Sequence, residues 1–332
     1  MKLTSFPADF TPIVDDNFFR FEEVDTTTST ELQFFDQSGR LLGARRYAGR
    51  SEIEASPKAF LRRLLHPSPV AKGDLRVVQP EGRTVGLSVG SESEGVVSPT
   101  VLFAANTLPL QPSALMGPVE QWREIAPGEY DELSLLLQRG DTLWVECYRA
   151  EGEEVELPKV FVCESSGPWV LTFTAEELME IVGIDSPGEE AIVRLRIGER
   201  IIGLIHYLTR PASGCDRRVA WLDGYGSVSY YTFRTPSTER FEVQRSVCDT
   251  LQGATTLGVS SWKQLSLSTA PLSRGEMESL QGLVASPCVW LLEGESWVPV
   301  VVLDAQCRCG SPSATEPLSL SLSLRPAKQY WW

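Results

Sequence analysis

Apolar and polar residues alternate one by one along short stretches of this chain, and each stretch ends at glycine, proline or an acidic turn. Leucine and serine alternate without a break from Leu318 to Leu324. Val193, Leu195 and Ile197 alternate with Arg194 and Arg196, and the run continues through Gly198 into Ile201–Ile205. A period of two puts successive side chains on opposite faces, so such segments fold as half-buried strands. The same reading makes a hairpin of Val289–Leu292 and Trp297–Leu303, turning at Glu293-Gly294-Glu295. It makes another of the stretch from Val77 to Val89, turning at Pro80-Glu81-Gly82. Arg139-Gly140-Asp141 spells an integrin-type tripeptide, but it joins Leu133–Leu137 to Thr142–Tyr148 and is read as a hairpin turn.

Helical signals are few. Ser56-Pro57 opens a helix that Pro67 stops. Thr174-Ala-Glu-Glu177 is a capping box before a helix reaching about Val182, with Gly183 at its end. Ser273-Arg-Gly-Glu276 is a second capping box, opening a helix to about Val284. The predicted class is therefore all-β with minor α: two to three tandem β-sandwich-like domains and three short helices.

A chain of 332 residues exceeds one ordinary core. Pro/Gly-rich stretches at Leu108–Gly128 and near Thr235–Glu239 divide it into 1–113, 114–236 and 237–332, an N-terminal and a middle β-sandwich-like domain and a C-terminal β domain with one helix. Linkers there predict an elongated molecule. The order of strands around the helix in residues 30–110 is echoed in 130–235, which suggests an architectural repeat.

The net charge is −14. An acidic surface repels phosphate backbones and anionic lipid, so nucleic acid is not an expected partner. No apolar run is long enough for a membrane span, and no membrane insertion is expected. The start has no signal-peptide pattern, which predicts synthesis in the cytoplasm. Seven scattered cysteines do not form a secreted disulfide framework and are read mostly as buried thiols.

His66 follows a helix end and His206 lies in an apolar strand, neither near a nucleophile elbow. Cys307-x-Cys309 with Cys288 lacks the spacing of a zinc knuckle. No phosphate-binding glycine loop is present. No catalytic, cofactor-binding or metal-ligating residue is therefore assigned, and no cofactor is expected. The C-terminal Tyr330, Trp331 and Trp332 are the candidate protein-docking residues, because clustered exposed aromatics anchor partners.

Three stretches resemble segments of phage and prophage tail proteins, virion structural proteins with tandem β-sandwich domains. One is Val219–Phe233, a strand with Trp221, a Gly224-Tyr225-Gly226 turn and an aromatic strand. The others are Leu280–Leu303, a helix followed by a hairpin and a Pro-Val-Val-Val strand, and Ser51–Leu65, a strand followed by a helix. The resemblance implies a virion-associated, non-enzymatic tail or baseplate component whose partners are other protein subunits, further copies of the chain among them. Two alternatives remain open: a carbohydrate-binding or adhesin-like surface module, and a hydrolase using carboxylates distant in sequence.

Overall fold

The computed structural model describes residues 1–13, 17–150, 158–251, 253–270, 272, 274–307 and 318–323. Among the described residues the fold is mostly β with three helices, and the strands form three packed units.

The first unit holds β1 (Lys2–Ser5), β2 (Phe19–Glu22), β3 (Ser29–Asp36), β4 (Leu41–Ala48), β5 (Ile53–Ala55) and helix α1 (Lys58–Leu64). The next strand, β6 (Arg76–Val78), leaves this unit, and β7 (Thr84–Ser91), β8 (Val96–Val97) and β9 (Val101–Ala104) complete it. One sheet runs β1-β2-β5. The other runs β4-β3-β7, with β8 and β9 on the far side of β7. Phe19, Phe21 and Ile53 from the first sheet meet Leu32, Phe34, Val89 and Phe103 from the second, and Leu61 and Leu65 of the helical passage close the core. The α1 N-cap is Pro57 with no side-chain cap; Ser56 lies one residue earlier, its Oγ accepting from Lys58 N at 3.4 Å.

The middle unit contains β10 (Ala114–Leu115), β11 (Glu120–Ile125), β12 (Tyr130–Leu137), β13 (Thr142–Arg149), β14 (Lys159–Val162), β15 (Gly167–Thr174), α2 (Ala175–Val182), β16 (Glu190–Ile197) and β17 (Arg200–Thr209). Its sheets run β10-β12-β15-β6 and β11-β17-β16-β13-β14. Leu133, Leu135 and Leu171 from one sheet pack on Val145, Val193 and Ile205 from the other. Thr174 caps α2 in a complete capping box with Glu177, and Gly183 ends it in the left-handed region at φ 70°.

The repeat is visible in the connectivity. The order β1-β2-β5 against β4-β3-β7-β9 recurs as β10-β12-β15 against β14-β13-β16-β17, each time with the helix after the third strand of the first sheet. The middle unit adds an edge strand to each sheet: β6 beside β15 and β11, parallel, beside β17.

Two turns differ from their sequence reading. β6 and β7 do not form a hairpin. Gly82, at φ 70°, separates them, and β6 pairs with β15 of the middle unit. The Arg139-Gly140-Asp141 turn joins β12 to β13, which lie in different sheets, so it is an arch between layers. Local alternation predicts a strand but not its neighbour, and burial of a second face decides the pairing.

The third unit is β18 (Arg217–Leu222), β19 (Val228–Phe233), β20 (Thr238–Thr250), β21 (Gly253–Ser268), α3 (Arg274–Ala285), β22 (Val289–Glu293), β23 (Ser296–Cys307) and β24 (Leu318–Ser323). Its strands run β19-β18-β22-β23-β24-β21-β20. β23 pairs with β22 over its first half and with β24 over its second, with an irregularity between Val302 and Asp304. Val219, Trp221 and Val289 pack with Leu265 and Leu267 from the far half of the sheet and with Leu280 and Leu283 of α3. Pro299 fits inside β23 because β24 begins its pairing only at Val301, so no ladder donor is missed.

The units do not divide at the sequence-predicted limits of 113 and 236. β6 belongs with the middle core, where Leu75 and Val77 pack, and β18 and β19 belong with the last unit. The glycine- and proline-rich stretch 108–128 is no linker, since β10 and β11 lie within it and both pair. Ser273, the expected cap of α3, lies outside the described residues.

Candidate docking surface

Two features are candidates for function: a polar seam that locks the units together and a long hairpin that leaves the body.

The seam centres on β12, all eight of whose residues are buried. Its odd-numbered leucines face the middle core. Its even-numbered residues would face water in a lone sandwich, but the third unit and the passage around β6 cover them. Glu132 pairs with Arg83 at 2.5 Å and accepts from Val70 N at 2.9 Å and from Tyr230 Oη at 2.7 Å. Tyr130 donates to Val70 O, and Trp297 Nε1 donates to Tyr130 Oη at 2.5 Å. Arg218 donates to Tyr130 O at 2.6 Å and pairs with Glu129 at 2.9 Å. Arg234 lies among Asp216, Glu129 and Glu124, at 2.9, 3.5 and 3.6 Å. On the inward side Asp131 takes a two-oxygen contact from Arg123 and a bond from Tyr207 Oη at 2.7 Å.

Burial pushes the Tyr207 and Tyr230 phenols well above their ordinary range, and the neighbouring carboxylates of Asp131 and Glu132 add to that. Charges withdrawn from water persist only when paired and hydrogen-bonded. The seam carboxylates are so matched to guanidinium groups that they hold strands together. Where the units meet, Arg83, Ala104, Ser134 and Gly226 close on one another without room for a water molecule.

The outer face of the five-stranded sheet carries aromatics. Trp122 is 59% exposed and stacks on His206 at 3.9 Å. His206 Nδ1 lies 2.5 Å from Glu190 Oε1, and its Nε2 lies 3.5 Å from Glu120. Arg194 and Arg196 stand over Tyr148 and Trp144 at 5.1 and 5.8 Å and share the carboxylate of Glu146. The chain's own arginines thus cover two of these rings. The other histidine, His66, is exposed beyond α1, and its N–H donates to Gly82 O.

The hairpin is the more unusual feature. Among the described residues β24 flanks β21 only over Gln264–Ser268, and the rest of β20 and β21 forms a two-stranded arm. Ten residues from Phe241 at a rise of about 3.4 Å carry it roughly 30 Å from the body. Every residue from Glu239 to Asp249 and from Gly253 to Ser261 is exposed, on both faces of the ribbon. One face carries Phe241, Val243, Val247 and Val259, and Leu257 bulges beside them. Phe241 is 68% exposed and Leu257 71%. β20 is also the open edge of its sheet.

The docking residues expected from sequence, Tyr330, Trp331 and Trp332, lie outside the described residues. Sequence reasoning missed the arm. Its signal was present as alternating Phe241, Val243 and Val247, but nothing local says that these side chains stay exposed.

Among the described residues no cluster of three or more metal-ligating side chains occurs, and no helix is long and apolar enough to cross a membrane. No family model and no curated protein matches the chain. Among solved structures, it aligns with the N-terminal four immunoglobulin domains of Dscam1 isoform 4.4 at 8% identity, over 73% of this chain. It spans 62% of that chain with a TM-score of 0.19, a superposition too loose to carry an argument.

Proposed function

We propose that this chain is a non-enzymatic assembly protein that docks other protein subunits, in the setting its sequence resembles, a phage or prophage tail or baseplate. The exposed arm carries the reading. A two-stranded ribbon with an apolar stripe and an open edge is marginal in water and invites pairing with another chain. Assembly components keep such elements because the neighbour completes them, by adding a strand or covering the stripe. The seam supports this use. It fixes the units against each other, so an arm rooted in the third unit holds a defined direction.

The test replaces Gln244–Ser260 by a two-residue Asn-Gly turn and compares the shortened chain with the full one in its producing cells. Cross-linking mass spectrometry is expected to join Lys263 and its neighbours at the arm to a second polypeptide in the full chain. The shortened chain, folded by circular dichroism, is expected to lose those links. A shortened chain that keeps every partner overturns the reading, as does substrate turnover by the purified protein.

A further inference from the structure

We infer that the occupant of the arm is a second copy of the same chain, its β20 pairing antiparallel with β20 about a two-fold axis through Val247. The inference rests on the assembly reading above and names its partner.

The charges on the arm carry it. Within the hairpin, Arg245 stands opposite Val259 and Asp249 opposite Ala254, so neither meets an opposite charge across β21. Neither forms an ion pair with any described residue. Both are exposed on the apolar face, flanking Val247. The remaining side of β20 is the open edge, and that is where a counter-charge can be placed.

A two-fold axis perpendicular to a sheet keeps each side chain on its own face, so one residue must face its own copy. Centred on Val247, the pairing sets Arg245 against Asp249 of the second copy, and Asp249 against Arg245. Ser246 then faces Cys248, and Gln244 faces Thr250. Every charge in this overlap meets its opposite, and Val247 meets Val247.

Other centres do worse. An axis through Glu242 or Arg245 sets like charges face to face, and one through Gln244 sets Glu239 against Asp249. An axis through Phe241 would match Arg240 with Glu242, but it falls at the root of the arm, where Glu239 is already held by Lys263 at 2.9 Å. The bulge in the hairpin adds its extra residue, Leu257, on β21, so β20 stays regular through Val247 and can accept a strand. The product is a four-stranded ribbon, β21-β20-β20-β21, with one continuous apolar stripe.

The experiment uses the full chain with Cys215, Cys248, Cys307 and Cys309 each replaced by serine, leaving only the buried thiols of Cys147, Cys163 and Cys288. Val247→Cys is added and oxidised with copper phenanthroline. Facing Cβ atoms in such a pair lie about 4.5–5.5 Å apart, within about 1 Å of the separation a disulfide spans, a shift an exposed ribbon can make, so a covalent dimer is expected, linked at position 247 by peptide mapping. Gln244→Cys is expected to give none. In sedimentation, Arg245→Asp and Asp249→Arg are each expected to weaken self-association about tenfold, and an equimolar mixture of the two to restore it. Each variant's circular dichroism reports that the body stays folded.

A dimer linked through Phe241→Cys in place of Val247→Cys overturns the inference, and so does a mixture no stronger than the single variants. If the full chain stays monomeric while arm deletion still removes a different partner, the second-copy inference fails and the assembly reading stands. If arm deletion changes nothing, the assembly reading itself fails.

Discussion

Arg83 and Glu132 form an ion pair whose side chains are 2% and 0% exposed, bridging the passage between β6 and β7 to the outward face of β12. A lone middle sandwich would leave Glu132 in water. Its burial follows from the third unit, whose Tyr230 donates to the same carboxylate. Glu132→Ala is expected to destabilise the chain by about 3–5 kcal/mol, because it strands a buried guanidinium. Arg83→Met combined with Glu132→Leu should recover most of that loss. Chemical denaturation of the three variants checks both statements.

Thr174→Ala should cost about 1 kcal/mol, since it leaves the Glu177 N–H at the start of α2 without its acceptor. Thr174→Ser should cost much less. A melt of Thr174→Ala coincident with the parent would remove the capping box from the list of stabilising contacts.

Two glycines with positive φ separate backbone strain from crowding. A Cβ at Gly140, φ 91°, would meet nothing within 4 Å, whereas one at Gly226, φ 77°, would lie 3.0 Å from the Ala105 backbone. Gly140→Ala is expected to cost about 1 kcal/mol from the left-handed conformation alone. Gly226→Ala should cost more, because it also forces apart the contact between the first and third units. Equal losses in urea unfolding would show that this contact yields freely.

Glu146 predicts a pH dependence. Burial pushes its carboxyl up, but the hydrogen bonds and charges of Arg196 and Arg194 outweigh burial and hold it below its ordinary value of 4.5. An acid whose folded value is depressed contributes stability above its unfolded value and loses it as the pH falls through the folded one. Glu146→Gln should therefore lower stability at neutral pH and flatten its decline on acidification below 4.5. Unfolding free energies measured across that range test the sign, and an unchanged acid slope would contradict it.

The cysteines should divide by reactivity. Burial pushes Cys163 up to about 11 and Cys288 up to about 12, so both stay protonated and covered near neutral pH. Cys215 and Cys248 are exposed. Maleimide labelling with peptide mapping should mark Cys215 and Cys248 in the native chain, and Cys163 and Cys288 only after unfolding. Native labelling of Cys288 would show that the third core opens.

Much of the fold was legible one residue at a time. Alternation at Val193–Ile197 and Leu318–Ser323 marked strands, Gly198 and Gly294 marked turns, and Thr174 with Glu177 marked a helix start. Each rests on interactions within a few residues, so sequence alone determines it: a period-two pattern, a φ only glycine takes readily, a cap three residues from its partner. Pairing was decided elsewhere. The stretch around Pro80-Glu81-Gly82 has the form of a hairpin, yet β6 joins β15 because the middle sheet had an edge to fill. Glu132 has the look of a solvent-facing residue in β12, yet it is buried, because a strand's second face belongs to whatever packs on it. Phe241 and Val247 have the look of core residues, yet they are exposed, because among the described residues no strand packs on the arm. The sequence determined which segments are strands and which way each side chain points. Only the tertiary structure decided which faces are covered, since burial depends on residues that sequence places a hundred positions away.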